Sequence, residues 1–235
     1  GPCCEALIKA VVKRVVVACE DPFEKTAGKG IAAMRSAGIE VSVGLFEPEA
    51  RTLNRGFFSR IERQKPFVCL KVAASIDGAT AMNNGESQWI TGEAARADVQ
   101  KLRASSGAIM TGIGTVKSDN PALTVRDHNL VQQQPLRVLL DSQLQVSPQA
   151  KIFQENGYAR VFCINSKRRA MLEGPNVSIV QTKDDNNHVA LYEVLYDLAQ
   201  EGINDLLVEA GPVLSGKMLS LGLIDELVIY QAPHI

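Results

Sequence analysis

Residues 66–126, PFVCLKVAASIDGATAMNNGESQWITGEAARADVQKLRASSGAIMTGIGTVKSDNPALTVR, decide how the chain is read. Val68 to Ala74 is an apolar run of strand length, and Asp77-Gly78 is a tight-turn pair. Thr91 is a favourable N-cap for a helix running to Ser105. Ala108 to Thr111 is a second strand, which leaves through Gly112-Ile113-Gly114-Thr115. Strand, helix, strand and a glycine corner, in that order, open an α/β domain with a mainly parallel sheet. Sites in such domains lie at the strand ends.

The same alternation continues downstream. Leu136 to Leu140, Arg160 to Ile164, Val177 to Val180, Asp205 to Glu209 and Glu226 to Tyr230 read as strands, and Val189 to Gln200 and Pro212 to Leu221 as helices. Asp127 to Gln134 is a polar loop. Upstream, Cys4 to Val12, Thr26 to Ala37 and Glu49 to Ile61 read as helices, with strands at Arg14 to Ala18 and Ile39 to Gly44. Gly38 ends the second of those helices. The charged stretch Glu62-Arg63-Gln64-Lys65-Pro66 marks a boundary between this α-β-α-β-α block and the rest.

The chain has 235 residues, 46 % of them hydrophobic and 22 % charged, enough to bury a core in one large or two small domains. A net charge of −1 gives no reason to expect a nucleic-acid or membrane surface, and no apolar run has the length of a membrane span. Five scattered cysteines do not make a disulfide framework, and the expected location is cytoplasmic. The sequence opens at Gly1-Pro2-Cys3-Cys4 and stops after a strand-like run, so a fragment of a longer protein is expected.

Gly112-Ile113-Gly114-Thr115 lets backbone approach a ligand, but Lys117 stands where a dinucleotide fingerprint needs its third glycine. A plain turn fits equally well. Gly211-Pro212-Val213-Leu214-Ser215-Gly216-Lys217 follows strand Leu206 to Val208 and spells a phosphate-loop start. Met218 then occupies the place of the magnesium-binding Ser or Thr, so a helix N-terminus facing phosphates without metal, or a bare corner, remains. Lys71, Arg103 and Arg126 near strand and helix ends are what an anionic ligand requires, or ordinary solvated charges. Glu209 at a strand exit is an exposed carboxylate, a helix-start charge or a ligand contact. Trp89, the lone tryptophan, is a core residue or an aromatic wall.

Taken together, PFVCLKVAASIDGATA, GESQWIT, DNPALTVR and VEAGPVLSGKML resemble the bifunctional riboflavin-biosynthesis family, which fuses a zinc-dependent pyrimidine deaminase to an NADPH-dependent reductase. The resemblance implies that residues 1–62 are the C-terminal part of a cytidine-deaminase-like α/β/α domain. It implies that residues 66–235 are a dihydrofolate-reductase-like α/β domain with an incomplete C-terminus. NADPH would meet Ala73, Trp89, Thr115, Asp119, Ser142 and the loop Gly211 to Lys217. The substrate, a ribosylamino-pyrimidine phosphate, would meet Ser87, Arg103, Leu123, Arg126 and Glu209. Lys71 and Glu209 are the expected catalytic pair, bordering the nicotinamide pocket. Cys3, after Pro2 at a helix start, matches the last Zn²⁺ ligand of the deaminase, whose His-x-Glu and first Cys are missing here. A homodimer or higher homo-oligomer is expected. A pterin reductase would leave residues 1–62 unexplained. A non-catalytic dimerisation module would have no use for Ser87, Arg103, Arg126 and Glu209 together.

Overall fold

The computed structural model describes residues 3–23, 26–81, 90–127 and 129–233. It divides into two compact units, Gly1–Gln64 and Lys65–Ile235, within the charged stretch that ends at Pro66.

The first unit runs α1 (Cys3–Lys9), β1 (Arg14–Val17), α2 (Lys29–Ser36), β2 (Glu40–Val43), α3 (Glu47–Leu53) and α4 (Arg55–Arg63). β1 and β2 pair in parallel from Arg14↔Glu40 to Val17↔Val43. Gly38, at φ +82°, ends α2: its amide donates to Arg35 O, and that of Ile39 to Met34 O. The single helix expected over 49–61 is two. Asn54 turns its side-chain amide onto Ala50 O at 2.9 Å and leaves helical geometry at ψ 24°, which breaks the run. Arg51 joins the halves, pairing with Glu62 at 2.6 Å and lying over the Phe58 ring.

The second unit runs β3 (Phe67–Ala74), α5 (Glu93–Ala104), β4 (Ala108–Gly112), α6 (Ile113–Asp119), β5 (Leu136–Leu140), α7 (Lys151–Gln154), β6 (Ala159–Cys163), α8 (Arg169–Leu172), β7 (Val177–Gln181), β8 (Asp184–Asp185), β9 (His188–Val189), α9 (Leu191–Gln200), β10 (Asp205–Val208), α10 (Pro212–Ser220) and β11 (Glu226–Gln231). Two expectations shift here. α5 is capped by Gly92 rather than Thr91, whose carbonyl accepts from Arg96 instead. The corner after β4 is the first turn of α6, which Asn120 stops in the left-handed region (φ +42°) just before Pro121.

The seven long strands form one sheet in the order β11-β3-β10-β4-β5-β6-β7, every pairing parallel. Strand side chains alternate between its faces. Val68, Leu70, Met110, Val138, Phe162, Leu206 and Val208 meet α9 and α10 on one face. Ile109, Leu139, Val161, Ile179 and Leu207 meet Leu102 of α5, Val116 of α6, Ile152 of α7 and Leu172 of α8 on the other. α9 buries Leu191, Val194, Leu195, Leu198 and Ala199, one continuous stripe of an amphipathic helix. Both sheet faces are therefore covered, which is why β4, β5 and β10 read as unbroken apolar runs.

Candidate active site

β10 is the last strand but one in sequence, yet it inserts between β3 and β4. From β4 the chain turns into α6 on one face; from β10 it turns into α10 on the other. A parallel sheet opens a crevice at its carboxyl edge where neighbouring strands depart to opposite faces. Thr115 in α6 spans that edge, its hydroxyl accepting from the Gly211 amide at 3.1 Å.

Glu209 is the first residue beyond β10, fixed by its amide bond to Met110 O. It follows Leu207 onto the α5 side of the sheet, where Arg103, in the last turn of α5, meets it. Arg103 Nε donates to Oε1 at 2.6 Å and Nη2 to Oε2 at 3.1 Å, a two-point grip, while Nη1 donates to Thr124 O at 2.9 Å. Lys71 of β3 comes within 4.0 Å of the same carboxylate. The three side chains are 17, 13 and 12 % exposed for Lys71, Glu209 and Arg103, so their charges act where water screens weakly. Two cations share one carboxylate, which leaves the cluster with an excess positive charge.

Leu123 is buried in the core beneath this cluster, so only its backbone could reach a ligand. Its φ of +53° lies in the left-handed region that a non-glycine residue adopts at a cost. The next carbonyl, that of Thr124, is the one that Arg103 grips. Arg126, in the segment after α6, lies beside α5 one turn before Arg103, its amide donating to Gln100 Oε1, and its exposed guanidinium makes no hydrogen bond or ion pair among the described residues.

Among the residues expected on the cofactor side, Ala73 lies at the end of β3, Thr115 and Asp119 in α6, and Ser142 just after β5. The first-turn amides of α10, Val213 and Leu214, have no acceptor within the helix, and Pro212 at its start has no amide to leave unpaired. The side chains of Leu214 and Ser215 turn inward, Leu214 onto the core and Ser215 hydroxyl to Ala210 O at 3.2 Å. Gly114 and Gly216 have open space around them: a Cβ at either would meet no atom within 4 Å. The Gly211 amide is already engaged by Thr115, which leaves the amides of Val213 and Leu214 unpaired within the helix, and Lys217 lies in the last turn of α10. Unpaired amides at a helix start are groups that can donate to an anion.

Ser87 and Trp89 lie outside the described residues. Cys3 is an exposed free thiol at the start of α1, and among the described residues no group of three or more His, Cys, Asp or Glu is placed to hold a metal. Those residues do not compose a zinc site. Sequence reading missed Tyr230 and Asp98, which border the same cluster: the Tyr230 hydroxyl donates to Asp98 Oδ2 at 2.8 Å, and Lys71 Nζ lies 5.9 Å from the Tyr230 ring centre. Neither residue stands in a motif. Only the placing of β11 beside β3 brings them in.

Residues 66–235 match the family described as the RibD C-terminal domain. The chain belongs to the RibD family. The riboflavin biosynthesis protein RibD of Escherichia coli K12 is 43 % identical over 245 residues, spanning 100 % of this chain and 66 % of its own length. That of Haemophilus influenzae is 41 % identical and is covered to 65 %. The solved structure of Acinetobacter baumannii RibD (form 1) superposes with a TM-score of 0.88 at 44 % identity, over 100 % of this chain and 65 % of that one. A Thermotoga maritima structure described as a diaminohydroxyphosphoribosylaminopyrimidine deaminase/5-amino-6-(5-phosphoribosylamino)uracil reductase gives 0.85 at 30 % identity, over 100 % and 63 %. The chain thus spans about two thirds of the RibD relatives it matches. The α/β fold with a parallel sheet, expected from the alternating strands and helices, is the one these RibD structures share. Among the described residues, no helix is long and apolar enough to cross a membrane.

Proposed function

We propose that residues 66–235 act as the reductase of riboflavin biosynthesis, converting 5-amino-6-(5-phosphoribosylamino)uracil to its ribitylamino product with NADPH. The observation that supports this most directly is the joining of Lys71 of β3, Arg103 of α5 and Glu209 at the carboxyl end of β10. A helix N-terminus fit for phosphates stands at the same sheet edge. The cofactor, when bound, supplies the hydride. What the chain supplies is grip, orientation and charge.

The first-turn amides of α10, with Lys217, hold the cofactor phosphates, and Thr115 fixes the loop that presents them. Arg126, free on the surface, meets the sugar phosphate. Arg103 spends two of its nitrogens on Glu209 and one on Thr124, so its part is to aim the carboxylate. Glu209 accepts from a sugar hydroxyl of the open-chain substrate and keeps its C1′ in place. Reduction of the C1′=N bond adds hydride to carbon and a proton to nitrogen. The Lys71 ammonium stands close enough to Glu209 to stabilise charge there and to pass that proton. Gly1–Gln64 we assign to the C-terminal part of the deaminase domain, on the sequence resemblance at Cys3.

The test is NADPH oxidation by the chain with ribosylaminouracil phosphate against dihydrofolate. Turnover with the first and none with the second is expected, and the reverse sinks the assignment. Arg126→Ala should raise KM for the sugar phosphate roughly 10- to 100-fold and leave NADPH affinity alone, the loss of one charge-assisted contact of roughly 1.5–3 kcal/mol.

A further inference from the structure

Lys71 is held from two sides. On β10 its neighbour is Glu209, which Arg103 of α5 grips. On β11 its neighbour is Tyr230. The register sets Val228 opposite Lys71 and Tyr230 opposite Ala73, so the Tyr230 ring stands on the diagonal from Lys71, on the same sheet face. The ammonium lies 5.9 Å from that ring's centre, within the range at which a ring face attracts a cation. The Tyr230 hydroxyl is tied in turn to Asp98 of α5, five residues before Arg103. One helix therefore latches both strands that flank β3: Arg103 to Glu209 on one side, Asp98 to Tyr230 on the other.

The charged groups around the ring are few. Lys71 comes from β3, Glu209 from β10 and Asp98 from α5, and Asp98 also faces Lys101 at 3.8 Å. Burial first, then the bond to Asp98, pushes the Tyr230 phenol above its usual range, so it stays a neutral donor and its ring face stays available to the ammonium. A tyrosine needed only to pack β11 would have no reason to end on a carboxylate of the helix that also aims Glu209.

We propose that Tyr230, anchored by Asp98, is a positioning residue of the reductase site: it fixes the Lys71 ammonium against Glu209 at the distance the substrate requires. This rests on the reductase reading above. Tyr230 acts through Lys71, so its effect should disappear when Lys71 is removed.

In the full chain, kcat and KM for ribosylaminouracil phosphate, NADPH affinity and thermal midpoint are measured for Tyr230→Leu, Tyr230→Phe, Asp98→Asn, Lys71→Met and their combinations with Lys71→Met. Tyr230→Leu should lower kcat on the order of tenfold or more, since small misplacements of a working group cost that much. NADPH affinity should stay unchanged. Tyr230→Phe, which keeps the ring and loses the Asp98 bond, should fall between Tyr230→Leu and wild type. Adding either tyrosine change to Lys71→Met should lower kcat no further. A full additional loss in the Lys71→Met background, or weakened NADPH binding with kcat intact, overturns the proposal. Should Tyr230→Leu fail to fold, Tyr230→Phe and Asp98→Asn carry the same cycle. If Lys71→Met turns over like wild type, the reading of the site falls first; if Lys71→Met is impaired and the tyrosine variants are not, only the role of Tyr230 falls.

Discussion

The two ends of the seven-stranded sheet treat their arginines in opposite ways. At the amino end, Arg137 of β5 is 1 % exposed and bonded to backbone: Nη2 to Glu155 O at 3.0 Å, Nε to Tyr158 O at 3.4 Å. One of its nitrogens, Nη1, is buried with no hydrogen-bond partner among the described residues, and burial depresses the basicity of the guanidinium. Its neighbour Arg160 borders a cavity of about 360 Å³ but is matched by Asp197 at 2.6 Å and Glu201 at 3.4 Å. At the carboxyl end, Arg103 holds a carboxylate that also faces Lys71, and Arg126 stays exposed. The amino end consumes its charge in holding loops and helix in place. The carboxyl end keeps charge in excess, and a surplus of fixed positive charge in a crevice is what an anionic substrate needs. Burial of an arginine therefore does not mark a site; what its partner faces does.

The sharpest way to break this contrast is Arg103→Ala. It strands Glu209 with Lys71 as its remaining cationic partner among the described residues. Stability should fall by about 3 kcal/mol, as when one member of a buried pair is removed. The substrate kcat/KM should drop on the order of 100-fold as the carboxylate loses its aim. Denaturant titration beside steady-state kinetics measures both, and an unchanged kcat/KM in the folded variant would show Arg103 to be structural.

Arg137→Ala should cost roughly 2 kcal/mol, from lost packing and two carbonyls left without their donor. Turnover per folded molecule should be untouched. A kinetic defect at constant stability would mean that the amino end is coupled to the site after all.

The smallest effect is expected from Thr115→Ala, which frees the Gly211 amide. NADPH affinity should weaken roughly fivefold, about 1 kcal/mol for one neutral hydrogen bond, with the thermal midpoint nearly constant. Isothermal titration with NADPH decides it, and unaltered affinity would detach α6 from the cofactor corner.

The strands were legible because both sheet faces are covered, so apolar runs such as Leu136 to Leu140 show directly in sequence. α6 was hidden behind its glycines, although Asn120-Pro121 is a helix stop that could have revealed it. The break at Asn54 depends on one side chain winning a carbonyl, a local contest that periodicity does not record. At the site, Glu209 could be singled out as a charge at the end of an apolar strand and Lys71 as a charge inside one. The ion pair between Arg103 and Glu209 could not, since 106 residues separate them and only the insertion of β10 brings them together. Asp98 and Tyr230, 132 residues apart, were invisible for the same reason.

That late insertion of β10 also sets a clock. β3 and β4 are made early, yet β3 has neither of its neighbours, and β4 has only β5, until the chain has grown past residue 205. During synthesis Lys71 and Arg103 wait without their shared carboxylate, beside a strand-wide gap whose edges are unpaired backbone. Pairings between such distant segments are slow to form, because the loop between them must close before any contact repays it. The strand that brings Glu209 to Lys71 and Arg103 is thus the one that joins β3 to the rest of the sheet, so the proposed site cannot form before that gap is bridged.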